Sequence, residues 1–343
     1  MLSCTRITWR ERAAWHVHSP TLDFVVTETG CHLAALRLPE DDPAFLQHNP
    51  LWQPQWPAGD PASAAAAGTW GGGEHAVEAP LLASICGSNL CADRFGAPLP
   101  GDAPRPLHGE AGILPWALQR CSAASVAFAV ALPTAGWALT RAFSVAPSGG
   151  GGGCLTVETT LLHPTAAAPL TVEICEHTTL GNAFLDGCVI SASVGEVAHA
   201  MAEGEAEPAA LPAAEALRVP APSDPPCGSV VACKVVAGSS SGGGGGGYDA
   251  HWVATNAAMG RRLTARWRAV DFPWLCLWTE HCSRSHAPWN SRERTRGMEV
   301  ATKPFPQPPP PSRAEAFLGV PTRLQHTPGA PLVRAVEFTW EKV

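Results

Sequence analysis

A chain of 343 residues, 45% hydrophobic and only 15% charged, holds ample material for a large core, which excludes wholesale disorder. Its formal net charge of -7 and the lack of any basic cluster exclude a general nucleic-acid binder, because neutralising phosphates requires a basic surface. No segment supplies the ~20 uninterrupted apolar residues of a helical membrane span.

In chain order, Met1–Pro20 carries Arg6, Arg10, Glu11 and Arg12 where a signal peptide would be apolar. The 12 cysteines are scattered without a Cys-x-x-Cys pair, and no Asn-x-Ser/Thr acceptor occurs. These features predict reduced thiols and a cytoplasmic location, with an organelle as the alternative. The β-branched run Leu22–Gly30 followed by Leu33–Leu38 reads as an opening hairpin. Short strand-like runs recur at Ser125–Leu132, Trp137–Val145, Leu155–Leu162, Leu170–Cys175, Val189–Val194, Ser229–Val236, Ala250–Thr255, Leu263–Trp267, Trp274–Trp278 and Ala335–Trp340. With 33 Gly and 34 Pro punctuating them, they predict an all-β protein, a large antiparallel β-sandwich forming a single domain over residues 1–343. A helix is expected only within Glu203–Leu217. The tracts Ala62–Ala67, Gly149–Gly153 and Ser239–Gly247 have little side-chain surface to bury, so flexible insertions are expected near 58–76, 147–153 and 237–247. Pro308–Pro311 reads as a stiff connecting loop.

Four places combine chemically capable side chains with glycine turns beside predicted strands: Leu107–Gly112 with His108, Glu176–Asn182 with His177, Gly247–Trp252 with Asp249, and Arg296–Pro306 with Glu299. A fifth segment, Asn49–Pro57, sets Trp52 and Trp56 in a proline-rigid loop, where indoles suit the apolar C–H faces of a sugar. The Trp278 indole, by contrast, is placed in the sandwich core. Each residue alone has a bland account, as a satisfied strand-end histidine, a turn aspartate or a solvated glutamate. A zinc site fails because His108-Gly109-Glu110 lacks a Pro-Cys-x-x-Cys partner, Cys227 and Cys233 being six positions apart. No Gly-x-Ser-x-Gly elbow supports serine hydrolysis.

The run Arg296-Gly297-Met298-Glu299 followed by Pro304-Phe305-Pro306 resembles the C-terminal signature of the galactose mutarotase-like (aldose 1-epimerase) superfamily. The order His, His, Gly-aromatic-Asp, Glu is similar to that family's order of active-site elements, and the likeness extends from Leu22 to Trp340. The resemblance implies the supersandwich fold with low-complexity loop insertions and cofactor-independent, metal-free interconversion of sugar anomers. It makes Glu299 the base, His177 the acid, His108 the group at the ring oxygen, and Asp249 and Arg94 the residues that orient hydroxyls. Trp52 and Trp56 would provide the sugar platform. Opening a hemiacetal removes a proton from the C1 hydroxyl and adds one to the ring oxygen, so an acid and a base must reach the same sugar. The partner implied is a small carbohydrate, free or phosphorylated. A non-catalytic carbohydrate binder on the same fold is the alternative. The turn after His177, Thr178–Asn182, departs from the family's usual aromatic-asparagine-leucine pattern, which places this chain on a divergent branch.

Overall fold

The computed structural model describes residues 1–42, 48–98, 105–148, 151–199, 209–238, 247–307 and 314–343. Among these, the strands form two large antiparallel sheets. The ten-stranded sheet runs in space Ser3–Trp9, Arg12–His18, Asp23–Thr27, Leu33–Arg37, Ser88–Cys91, Cys175–Leu180, Arg294–Ala301, Trp274–His281, Cys227–Val235, Val194–His199. The eight-stranded sheet runs Val189–Ala192, Ala250–Asn256, Arg261–Trp267, Leu332–Lys342, Gly153–Leu162, Ala138–Pro147, Ser125–Ala131, Ala117–Cys121. The all-β expectation is met, and the predicted runs coincide with strands to within a few residues at each end. No helix among the described residues is long and apolar enough to cross a membrane.

The sheets pack on each other through alternate residues, as period-two strands require. Phe24 of the larger sheet meets Phe143 of the smaller at 5.7 Å between ring centroids, and Met298, Val300, Leu275 and Leu277 join the same core. Truncating one such side chain to alanine costs ~2–5 kcal/mol through lost burial and the cavity left behind. One polar contact crosses this core. Arg141 of the smaller sheet donates to Glu176 of the larger at 2.5 Å, and Ser88 donates to the same carboxylate oxygen at 2.6 Å. A buried pair of this kind is costly to break, because either partner left alone is an uncompensated charge. It therefore pins the Cys175–Leu180 strand in register, with the next residue, His177, on the opposite face.

Several expectations are corrected. The predicted hairpin is present, Asp23–Thr27 with Leu33–Arg37, but it is not the first: Ser3–Trp9 with Arg12–His18 precedes it, turning at Arg10 and Glu11, whose φ values of 44° and 69° are those of a two-residue hairpin loop. Ala62–Ala67 is not a flexible insertion. It forms the helix Pro61–Ala67, capped by the Asp60 carboxylate accepting from Ala62 N–H, and it lies on a second helix, Ala79–Ser84. The helix foreseen within Glu203–Leu217 is confined, among the described residues, to the single turn Ala213–Ala216, and 203–208 lie outside them. Residues 149–150, 239–246 and 308–311, where flexible tracts and a stiff proline loop were expected, also lie outside the described residues. The thiols are not all reduced: Cys4 and Cys121, 117 residues apart, form a disulfide joining the outer strands of the two sheets.

Candidate active site

The site lies on the face of the ten-stranded sheet turned away from the sandwich core. Cross-strand register places Asn89, His177, Glu299 and Cys276 in one row over four adjacent strands, since facing residues of antiparallel strands project to the same side. His177 and Glu299 are therefore direct neighbours, with His177 Nε2 at 3.1 Å from Glu299 Oε1. The other ring nitrogen, Nδ1, lies 3.2 Å from the Thr179 hydroxyl two residues along. Both residues, read from the sequence as lying at glycine turns beside strands, are mid-strand in the centre of the sheet. Gly297 makes room for them, because a Cβ there would lie 2.6 Å from Glu299 Oε1 and 3.0 Å from Trp278 Cβ.

His108 arrives from a loop on the other side of the row. Its ring stacks on Phe95 at 5.5 Å and meets the His177 ring edge-on at 5.6 Å. Gly96 N–H donates to His108 Nδ1 at 3.0 Å, so the neutral ring carries its proton on Nε2. Gly96 itself has φ 118°, and a Cβ there would sit 1.8 Å from the Pro306 carbonyl, so glycine alone lets the His108 loop close on the segment following Glu299.

Burial dominates the electrostatics. It pushes the Glu299 carboxyl up to about 8, against smaller opposing effects of the Cys276 thiol hydrogen bond and the Arg296 charge. It pushes His177 down to about 4. Burial, reinforced by His177, also holds His108 well below its ordinary range. Arg296 projects to the other face, donating to the Thr279 hydroxyl and the Ala216 carbonyl. Cys276, beside Glu299, is held well above the usual thiol range by burial and by that carboxylate, so it stays a thiol and can donate to it.

His108, His177 and Glu299 line a cavity of about 440 Å³, a size typical of small-molecule sites. His177, Glu299 and Trp278 form its floor. Leu81, Leu82 and Ile85 on and after the helix Ala79–Ser84, together with Trp52 and Trp289, form an apolar wall. Trp52 stacks parallel to Trp289 at 5.9 Å and donates its Nε1–H to the buried Glu293 at 2.8 Å. Trp56 does not line the cavity. It backs the wall, edge-on to Trp289 at 4.9 Å, with its N–H on the Leu82 carbonyl.

Besides Trp56, two expected residues do not line the cavity. Asp249 precedes a strand of the eight-stranded sheet and accepts from Ala269 N–H at 2.7 Å, so its carboxylate closes a turn of that sheet rather than reaching the cavity. Arg94 lies beside the lining residues Gly96 and Ala97 but does not line the cavity, and Lys303 is paired with Glu173 at 2.8 Å. Sequence reasoning missed Trp289 and Arg284, and it assigned Trp278 to the core although that indole faces the cavity. Trp289 follows Pro288 in a short connection between strands, the same proline-set indole signal that singled out Trp52.

No family model and no curated protein matches this chain. Solved structures do. A candidate mutarotase from Salmonella typhimurium aligns with TM-score 0.62 at 14% identity, covering 100% of this chain and 94% of that one. A galactose mutarotase related enzyme from Lactobacillus acidophilus aligns with TM-score 0.62 at 10% identity, covering 96% and 97%. An aldose epimerase homologue from C. elegans aligns with TM-score 0.57 at 11% identity, covering 95% and 97%. Over the whole chain, the fold is shared.

Proposed function

We propose that this chain, whose fold is that of the galactose mutarotase-like sandwiches, interconverts the anomers of an aldose by acid–base opening and closing of the hemiacetal ring. The observation that carries the reading is the Glu299–His177 pair, 3.1 Å apart on the cavity floor, with burial displacing the two groups in opposite directions. Between about 4 and 8 the pair holds a single proton that either partner can carry.

The ring oxygen and the C1 hydroxyl oxygen of a hemiacetal are bonded to one carbon, so a donor and an acceptor side by side can engage both. Burial favours neutral His177 beside protonated Glu299. In that tautomer Glu299 gives its proton to the ring oxygen as the C1–O bond breaks, while His177 Nε2 takes the proton of the C1 hydroxyl, which becomes the aldehyde. The pair is left with Glu299 ionised and His177 protonated, still sharing one proton. After rotation about C1–C2, the ring closes as the C5 hydroxyl attacks the aldehyde. Glu299 recovers the proton from that hydroxyl and His177 returns one to the new C1 oxygen. The sequence-based assignment, Glu299 as base at the C1 hydroxyl and His177 as acid at the ring oxygen, is a distinct arrangement that begins from the ionised pair with the two oxygens exchanged; burial favours the neutral pair, and with it Glu299 as the acid of ring opening. His108, neutral with Nε2–H, donates a hydrogen bond to the oxygen on which negative charge develops. The Thr179 hydroxyl accepts from His177 Nδ1–H in both states of the pair and so keeps Nε2 turned to Glu299. Positioning of this kind is worth ~7 kcal/mol or more of barrier.

The test is NMR exchange between α and β anomers over a panel of aldoses and sugar phosphates, with wild type compared to Glu299→Gln and His177→Ala. Acceleration by the wild type and its loss in both variants is the expected result. Binding without acceleration on any sugar would leave a carbohydrate-binding protein instead.

A further inference from the structure

The cavity wall is poor in groups that could receive a sugar's hydroxyls. Among the described residues, its polar lining is confined to Glu78, His108, His177, Arg284, Glu299 and Gln307, and three of these six form the proton-transfer end. Facing them, Leu81, Leu82 and Ile85 carry no polar side-chain atom, the Trp52 N–H is already given to Glu293, and the Trp289 N–H, though unpartnered, is itself buried. A hydroxyl pressed against this wall would lose its water and gain no partner, which costs binding free energy.

Charge argues in the same direction. Arg284 is the one cationic side chain lining the cavity among the described residues. Its guanidinium already lies 3.3 Å from Glu78 and 3.4 Å from Glu280, and it covers the Trp289 ring at 4.7 Å. An approaching phosphate would meet one guanidinium flanked by two carboxylates, so it gains little attraction and encounters like charge. Arg284 thus holds the wall in place instead of offering an anion site.

From this we infer that the substrate is an uncharged sugar bearing an apolar substituent, with its hemiacetal end at Glu299 and His177 and its substituent against the Trp52–Trp289 wall. This inference rests on the anomer-interconverting reading for its orientation, and it narrows the substrate class to one that excludes sugar phosphates.

The experiment measures two quantities separately. Binding is read by calorimetry on anomerically inert 1,5-anhydro sugars: the unsubstituted hexitol, its 6-phosphate, and its 2-, 3-, 4- and 6-O-benzyl ethers. Catalysis is read by anomer exchange on the corresponding free hexoses. At least one benzyl ether is expected to bind roughly ten-fold or more tighter than the parent, as burial of an aromatic ring against an apolar wall provides, with the phosphate no tighter than the parent. In Leu82→Asn the benzyl advantage should shrink, and the wild-type ranking decides the matter if that variant fails to fold. Equal or weaker binding of every benzyl ether, a phosphate that binds tightest, or no binding by any member overturns the inference. Benzyl preference without exchange on any hexose would keep the ligand class and remove the proposed reaction. Exchange without benzyl preference would do the reverse.

Discussion

Replacing Gly297 with alanine separates what holds this site together from what makes it work. The new Cβ would lie 2.6 Å from Glu299 Oε1, whereas ordinary contact begins near 3.4 Å, so the carboxylate must retreat by about 0.8 Å. Gly297 is in the middle of an extended strand and its φ is open to any residue, so the backbone has no reason to refuse alanine. The atom in the way is the far end of a flexible side chain, and only Trp278 Cβ at 3.0 Å adds a stiffer neighbour. Overpacking of that order costs ~1–3 kcal/mol of stability, with the low end expected here. Catalysis is less forgiving: the same retreat lengthens the 3.1 Å contact with His177, and a misplacement of ~1 Å can cost ~10²-fold in rate, or about 2.7 kcal/mol of barrier. Urea denaturation and anomer exchange on the same preparation should therefore show a modestly less stable protein that has lost roughly two orders of magnitude in rate. A Gly297→Ala protein that exchanges anomers at the wild-type rate would refute the claim that glycine is there to seat the carboxylate.

Exchange should be level between about pH 5 and 7 and fall about ten-fold per unit above about 8, where the Glu299–His177 pair loses its shared proton. A rate that instead rises through pH 8 would mean that Glu299 works as a lone carboxylate. Stability carries the same signature. Glu299 is raised from its ordinary 4.5, so its contribution is complete below that value and is lost as the pH climbs through about 8. His177 is depressed from 6.5, so its contribution is complete above 6.5 and is lost as the pH falls through about 4, with His108 acting in the same sense. Thermal melts should thus peak near pH 6.5, and Glu299→Gln should flatten the limb between about 6.5 and 8 and, with its opposing slope gone, steepen the rise between about 4.5 and 6.5; an unchanged upper limb in that variant would contradict the assignment. Trp52→Phe keeps an aromatic ring against Trp289 but takes the indole N–H from Glu293, a half of the pair left buried, so chemical denaturation should show a loss of ~1–3 kcal/mol. A loss below ~0.5 kcal/mol, short of the cost of an unsatisfied buried partner, would show that Gln55 N–H, also on Glu293, suffices alone.

The strands that sequence patterning located are those whose neighbours are all apolar or alternate cleanly, such as Ser125–Ala131 and Arg261–Trp267. Two of those it passed over, Ser88–Cys91 and Arg294–Ala301, are buried on both faces and yet carry Ser88, Asn89, Arg296 and Glu299. A doubly buried strand ordinarily reads as a continuous Val/Ile/Leu run. Here one face carries the row of Asn89, His177, Glu299 and Cys276, and polar residues interrupt the hydrophobic signal at the candidate site. Motif order singled out Glu299, His177 and His108, and the structure brings the three to one cavity, the first two from adjacent strands of the ten-stranded sheet and His108 from a loop. It failed for Asp249 because chain order does not say which sheet a strand enters. Ala250–Asn256 pairs with Val189–Ala192 and Arg261–Trp267 in the other sheet, which carries its preceding turn away from the cavity. Trp289 and Arg284 were hidden for a related reason. Their partners Trp52 and Glu78 lie more than two hundred positions earlier, and only closure of the Ala79–Ser84 helix over the sheet turns four separate segments into one wall.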